Sequence, residues 1–251
     1  MLGRVQNRTE QTITIPNKEK LDINILESYY YARTNKVVDR LIPSIGNFLL
    51  DSGAFTFMSS VVKHGSIDWL SYSDRYADFI RDNNIKDFFE LDIDSIVGLD
   101  YTERLRDRIE RRVGWQSIPV WHPSRGGQYW KDMCKEYGRV AVGGIAAKEA
   151  PRAVYERAFP SLLSFAKERG ARVHGLGYTD FDGLKRYRFD SVDSTTWLSA
   201  SRFHEVAQFN KDRVIRVVPR KMGKAIKSAE DALKYSFFEW QKYSDWAYIN
   251  I

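Results

Sequence analysis

Cysteine is nearly missing from this sequence: Cys134 stands alone among 251 residues. A single thiol closes no internal disulfide and builds no multi-cysteine zinc site, so both are excluded. Histidine is scarce as well. The four present, His64, His122, His174 and His204, lack metal-ligand spacing, and the expectation is neither metal nor cofactor. No apolar run reaches the roughly 18 residues of a membrane span. The first twelve residues, MLGRVQNRTEQT, are polar and hold no signal-like apolar stretch, which predicts a cytoplasmic protein. No Gly-x-Gly-x-x-Gly follows an early apolar run, so a dinucleotide site has no support. Linkers, repeats and low-complexity segments are absent.

What is present reads as a packed globular chain, 43% hydrophobic and 29% charged. The length suits a single (β/α)8 domain. The net charge of +6 fits a polyanionic partner. Between Lys211 and Lys227 the cations Lys211, Arg213, Arg216, Arg220, Lys221, Lys224 and Lys227 face one acid, Asp212, a segment suited to a phosphate backbone. The run from Arg104 to Arg112 alternates with Asp107 and Glu110 and reads as a solvated helix face.

Apolar runs predict strands over Ile23–Tyr31, Asn47–Leu50, Asp87–Ile93, Ile118–Trp121, Val140–Ile145, Arg172–Leu176, Arg188–Val192 and Arg213–Val218. Amphipathic spacing predicts helices over Trp69–Asn83, Tyr129–Tyr137, Arg152–Lys167 and Ala225–Tyr243, with Pro151 and Gly170 as punctuation. Strands alternating with helices point to an α/β fold with a parallel sheet. The expected form is a (β/α)8 TIM barrel in one domain, residues 1–251, with no zinc subdomain; a doubly wound sheet is the alternative. Residues 1–20 form an N-terminal arm, and 211–251 a basic segment and C-terminal helix.

Barrel chemistry gathers at the C-terminal ends of strands. There the sequence places Asp51-Ser52-Gly53, Asp92-Ile93-Asp94, His122, Gly143-Gly144-Ile145, His174-Gly175-Leu176-Gly177 and Asp190-Ser191-Val192-Asp193. Several carboxylates suit glycosidic-bond cleavage, one as nucleophile and another moving protons; a pair about 5 Å apart suits retention. Glycines there leave floor space for a flat ligand. Strand alternation puts Asp190 and Asp193 on opposite faces, so they do not serve equally, whereas Asp92 and Asp94 share a face if the strand runs that far. Glu90 within a strand calls for a salt-bridge partner. His122 and His174 read first as buried structural groups, the commoner fate of such histidines, and second as substrate contacts.

Taken in order, these segments resemble the tRNA-guanine transglycosylase superfamily, most of all a zinc-less phage and bacterial branch that inserts 7-deazaguanines into DNA. Asp51-Ser52-Gly53-Ala54-Phe55 is similar to its Asp-Ser-Gly-Gly-Phe/Tyr signature, Val142-Gly143-Gly144-Ile145-Ala146 to its Val-Gly-Gly-Leu-Ala, Gly175-Leu176-Gly177 to its Gly-Val-Gly, and Phe189-Asp190-Ser191 to its Phe-Asp-Cys/Ser. The likeness spans Leu49 to Trp197. It implies a covalent intermediate on Asp190, with Asp193 as the competing candidate, and proton transfer by Asp51. It implies a base pocket from Ser52, Gly53, Asp92, Asp94, His122, Gly143, Gly144, Ile145, His174, Gly175 and Gly177. DNA would be gripped by Arg216, Arg220, Lys221 and Lys224, with Phe55, Phe57, Trp121 or Tyr178 stacking on bases. The family's zinc ligands, three Cys and one His, are absent here, Ala54 replaces a glycine and Thr56 a glutamine. These departures favour DNA over tRNA, in a host cytoplasm for a phage gene. The same residues also fit a tRNA enzyme, a small-molecule nucleoside glycosidase, or a nucleic-acid-binding subunit of a modification complex. A homodimer or partner subunits accord with the family.

Overall fold

A computed structural model of the chain describes residues 21–53, 56, 67–199, 205–218, 226 and 228–251. Seven parallel strands follow one another in chain order. Strands β1 (Leu21–Ser28), β2 (Ile45–Asp51) and β3 (Asp87–Phe88) form one ladder, and β4 (Val120–Trp121), β5 (Arg139–Val142), β6 (Arg172–Gly175) and β7 (Ser191–Val192) a second. A parallel bridge between Phe89 and Ile118 joins them, with Ile118 N–H donating to Phe88 O at 2.8 Å and Glu90 N–H to Ile118 O at 3.1 Å. The result is an α/β fold on a sequential parallel sheet. The order contains no reversal, so it is not doubly wound.

Strand periodicity divides the core into two layers. Leu49, Phe89, Ile118, Val120 and Ala141, with Leu26 and Leu176 against them, form an inner cluster. Their strand neighbours Leu50, Phe88, Val140, Val142 and Val173 face outward into clusters shared with the helices. The sheet curls around the inner cluster. Phe89 and His174, three strands apart in order, have ring centroids 5.2 Å apart; on a flat sheet about 14 Å would separate them.

Helices cover the outer face. They are α1 (Tyr29–Ala32), α2 (Lys36–Leu41), α3 (Trp69–Asp82), α4 (Asp94–Val97), α5 (Leu99–Val113), α6 (Gly126–Glu136), α7 (Arg152–Glu168), α8 (Phe181–Tyr187), α9 (Thr196–Ser199) and α10 (Ala229–Asn250). Asp68 caps α3 by accepting from Ser71 N–H at 3.0 Å, and Ser228 caps α10 by accepting from Asp231 N–H at 3.0 Å. The run from Arg104 to Arg112 lies on α5, and two of its exposed members form bidentate pairs to α3, Arg108 with Asp74 and Arg112 with Asp78.

The expected eighth barrel strand is corrected. Arg213–Val217 is β9, antiparallel to β8 (Val206–Asn210), and the connecting Lys211 takes a left-handed conformation at φ 59°. Among the described residues no strand pairs with the free edges of β1 or β7, so no ring closes. Instead α10 lies against the hairpin and beside β1. Its Ser236 and Glu239 accept the N–H groups of Ala207 and Phe209 at 3.0 and 2.8 Å, and its Ser244 accepts from Asn24 at 3.4 Å. The N-terminal arm, residues 1–20, lies outside the described residues.

Candidate active site

The inward alternation that places Leu49, Val120 and Ala141 in the inner cluster also decides which residues stand at its C-terminal rim. Two residues further along come Asp51, His122 and Gly143, and His174 faces inward from β6 against Phe89. Asp193 completes the rim after β7: it accepts from Gly177 N–H at 2.6 Å and faces His174 Nε2 at 3.3 Å. His174 Nδ1 meets Ser191 Oγ at 2.8 Å.

Three carboxylates converge there. Burial pushes the Asp51 carboxyl up to about 6; the Gly53 N–H bonded to it pulls the other way, and the charges of Asp193 and Asp92 add to the rise. Asp51 ends β2 and Asp193 follows β7, so the carboxylates interact across the curl rather than along the sheet. Asp92 is raised too, by burial, against the pull of His122 and Arg125. Burial alone would lower His122, but its Nε2 lies 2.7 Å from Asp92 and its Nδ1 2.8 Å from Glu149. The two carboxylates hold the imidazole protonated, with a pKa raised to about 10. Backbone without a side chain makes room for it: a Cβ on Gly143 would sit 2.8 Å from His122 Cε1 and 2.5 Å from Val120 Cγ1. Gly144 (φ 77°) is equally constrained, since a Cβ there would lie 2.5 Å from both Glu149 Oε2 and Tyr155 Oη.

A second charge network lies behind this rim. Glu90, fully buried, accepts from Arg106 at 3.1 Å, Arg125 at 2.8 Å and Val120 N–H at 2.8 Å. These are the partners its place in a strand called for. Arg125 also donates from Nε to Asp94 at 2.8 Å and stands 3.6 Å from Asp92. Although burial works against it, Arg125 holds the Asp94 carboxyl below the usual range. Asp92, Asp94 and His122 offer ligand atoms within 4.8 Å of one another. In this arrangement Asp94 is bonded to the Arg125 guanidinium and Asp92 to His122.

The candidate residues thus separate. Asp51, Gly53, Asp92, His122, Gly143, Gly144, His174, Gly177 and Asp193 are linked at or just behind the rim, whereas Ser52 is buried toward the helix layer, its carbonyl accepting from Tyr72 at 2.6 Å. Asp94 belongs to the Arg125 network. Gly175 and Ile145 turn outward: a Cβ on Gly175 would meet Val192, Phe189 and Tyr178, and Ile145 packs on the same outer cluster. Asp190 is not with the others. It is exposed, opposite Val173 on β6, and its carboxylate accepts the Val173 N–H at 2.7 Å. Trp121 and Tyr178, expected to stack on bases, are buried at 5% and 2% exposure; Phe55 and Phe57 lie outside the described residues. Of the expected nucleic-acid contacts, Arg216 is exposed on β9, and Arg220, Lys221 and Lys224 lie outside the described residues. Arg213 of the same segment is engaged by Asp182 and Asp212.

Arg125 and Glu149 were missed by sequence reasoning. Arg125 follows a strand end in His122-Pro123-Ser124-Arg125 and could have been found by reading that loop one residue further. Glu149 carries no periodic signal; it reaches His122 only through the path of the loop after β5. No described helix is long and apolar enough to cross a membrane. No family model matches the chain, and neither a curated protein nor a solved structure matches it significantly.

Proposed function

We propose that this protein is a guanine transglycosylase, exchanging guanine in DNA for a 7-deazaguanine base through a covalent nucleotide intermediate. The observation that carries the reading is the convergence of Asp51, Asp92 and Asp193 at one rim, with Asp51 drawn up to about 6, where it both gives and takes protons near neutral pH. Asp193 is the nucleophile in this reading, in place of Asp190. Its oxygen attacks C1′ of the target nucleotide, the glycosidic bond breaks with its electron pair passing to guanine, and Asp51 delivers a proton to the departing base. The incoming base then returns a proton to Asp51 as its ring nitrogen displaces the Asp193 carboxylate, and two inversions restore the starting configuration.

Asp92 accepts the N–H groups of the base edge and is oriented by His122, while His174 and the Gly177 N–H fix Asp193. The bare backbone at Gly143 and Gly144 lets His122 and Glu149 pack close behind Asp92 and hold it toward the base. The target base reaches such a rim only when flipped or single-stranded. DNA is preferred to tRNA because a lone cysteine cannot supply the zinc site of the tRNA enzymes. The same reading takes the curled parallel arc as a barrel of the TIM type, supported by Phe89 against His174 and Asp51 facing Asp193.

The test is exchange. DNA and tRNA carrying labelled guanine are incubated separately with the protein and excess cyano-deazaguanine, and released label is followed. Release from DNA is expected. Release from tRNA alone overturns the substrate, and release from neither, with no protein–nucleic acid adduct after denaturation, overturns the chemistry.

A further inference from the structure

Beside the rim, between the β8–β9 hairpin, α8 and α10, lies a cavity of about 90 Å³. Phe181, Val214 and Trp240 give it apolar walls, and its polar lining comes from Thr179, Thr196 and Arg216. No carboxylate lines it, so the polar edge consists of hydroxyls and a cation, suited to a ligand rich in acceptors. The indole Nε1–H of Trp240 is buried with no acceptor, which is unfavourable unless a ligand atom supplies one. The cavity is also tied to the candidate nucleophile along the chain. Thr179 follows Gly177, whose N–H holds Asp193, by two residues, and Thr196 follows Asp193 by three.

We infer that this cavity is a subsite for one unstacked nucleobase next to the reacting nucleotide in a single strand. The apolar walls and aromatic rings take the face of a heteroaromatic ring, and the indole N–H, the hydroxyls and Arg216 take its carbonyl edge. A bare phosphate would match the cation but not the apolar majority of the lining. The inference rests on the reading of Asp193 as part of a nucleotide site.

Fluorescence anisotropy with labelled short single-stranded DNA holding one guanine tests it. An abasic residue is moved along the strand one position at a time. An abasic residue on one side of the guanine is expected to weaken binding about tenfold, within the range for loss of one stacked base. Trp240→Phe, which keeps the ring and removes the donor, is expected to shrink that difference, and Val214→Phe, which fills the cavity, to abolish it. A penalty that persists in both variants, or none beside the guanine, overturns the subsite. Wild-type exchange measured in parallel separates the two ideas. Guanine release without the penalty refutes the subsite alone. The penalty without release, in a protein whose strand binding responds to both variants, refutes base exchange and leaves the cavity as a base-binding site.

Discussion

Asp51→Asn tests whether the rim holds its carboxylates at a cost to the fold. The folded protein raises Asp51 from 3.8 to about 6, so well below pH 3.8 the carboxyl is protonated in folded and unfolded chains alike and imposes no penalty. As pH rises toward 6 the unfolded chain ionises first and stability falls, and above 6 the full penalty is present. A shift of about two units corresponds to about 3 kcal/mol; partial solvent access at the rim reduces this to about 1–3 kcal/mol. Asparagine keeps the shape and an oxygen for the Gly53 N–H while removing the charge that Asp92 and Asp193 repel. The variant is therefore expected to match wild type near about pH 3 and to exceed it by about 1–3 kcal/mol near about pH 8, while exchange falls about a hundredfold or more. Urea unfolding of both proteins across that range gives the difference curve directly. A flat curve, or a variant less stable at alkaline than at acid pH, would refute the account of Asp51 as a desolvated acid among like charges.

Asp193→Asn is expected to abolish trapping of a covalent nucleotide adduct, whereas Asp190→Asn retains it and loses only about 1 kcal/mol with the weakened bond to Val173 N–H; adducts resolved on denaturing gels decide between them. His122, raised from 6.5 to about 10 by Asp92 and Glu149, contributes stability that is present below 6.5 and lost as pH rises through 10. His122→Gln should remove that alkaline decline in thermal melts, and a decline of unchanged steepness would contradict the ion-pair account. Glu90→Leu strands Arg106, Arg125 and the Val120 N–H in the core and is expected to cost about 3–5 kcal/mol; Glu90→Gln, which keeps an oxygen for Val120, should cost less by denaturant unfolding.

The parts legible in the sequence are those with local causes. Apolar runs marked β2, β5 and β6, and amphipathic spacing placed α3 and α7 to within a residue of their ends. Asp51 and His122 were legible because each stands two residues beyond an inward-facing apolar residue. The hairpin was not, because Arg213–Val217 has the composition of any half-buried strand, and its direction is set by a tight turn at Lys211-Asp212 and by α10 side chains distant in sequence. The choice between Asp190 and Asp193 turned on register. Parity showed that only one of them faces inward; which one depends on His174 pairing with Ser191, a tertiary fact.

Charge compensation separates site from scaffold in this molecule. Glu90 is the most deeply buried acid described, and it is matched by two guanidinium groups and a backbone N–H. Such full pairing of a buried charge avoids a large desolvation penalty and leaves nothing for a ligand. Asp51 is the reverse: it accepts the Gly53 N–H but no guanidinium or ammonium pairs with it, and two like charges face it. Asp92 lies between, sharing His122 with Glu149. A fold under selection for stability alone would pair Asp51 as it pairs Glu90, or replace it. An acid left raised, with no cation beside it, at the rim of the sheet is an arrangement suited to proton transfer. If the deficit serves that purpose, supplying a cation should trade function for stability: a variant placing Lys at Ser28, the β1 residue paired with Asp51 in the ladder, is expected to bring the Asp51 pKa down, raise stability near pH 8 and slow exchange together. A lysine there that lowered the Asp51 pKa without slowing exchange would remove Asp51 from the proton-transfer step.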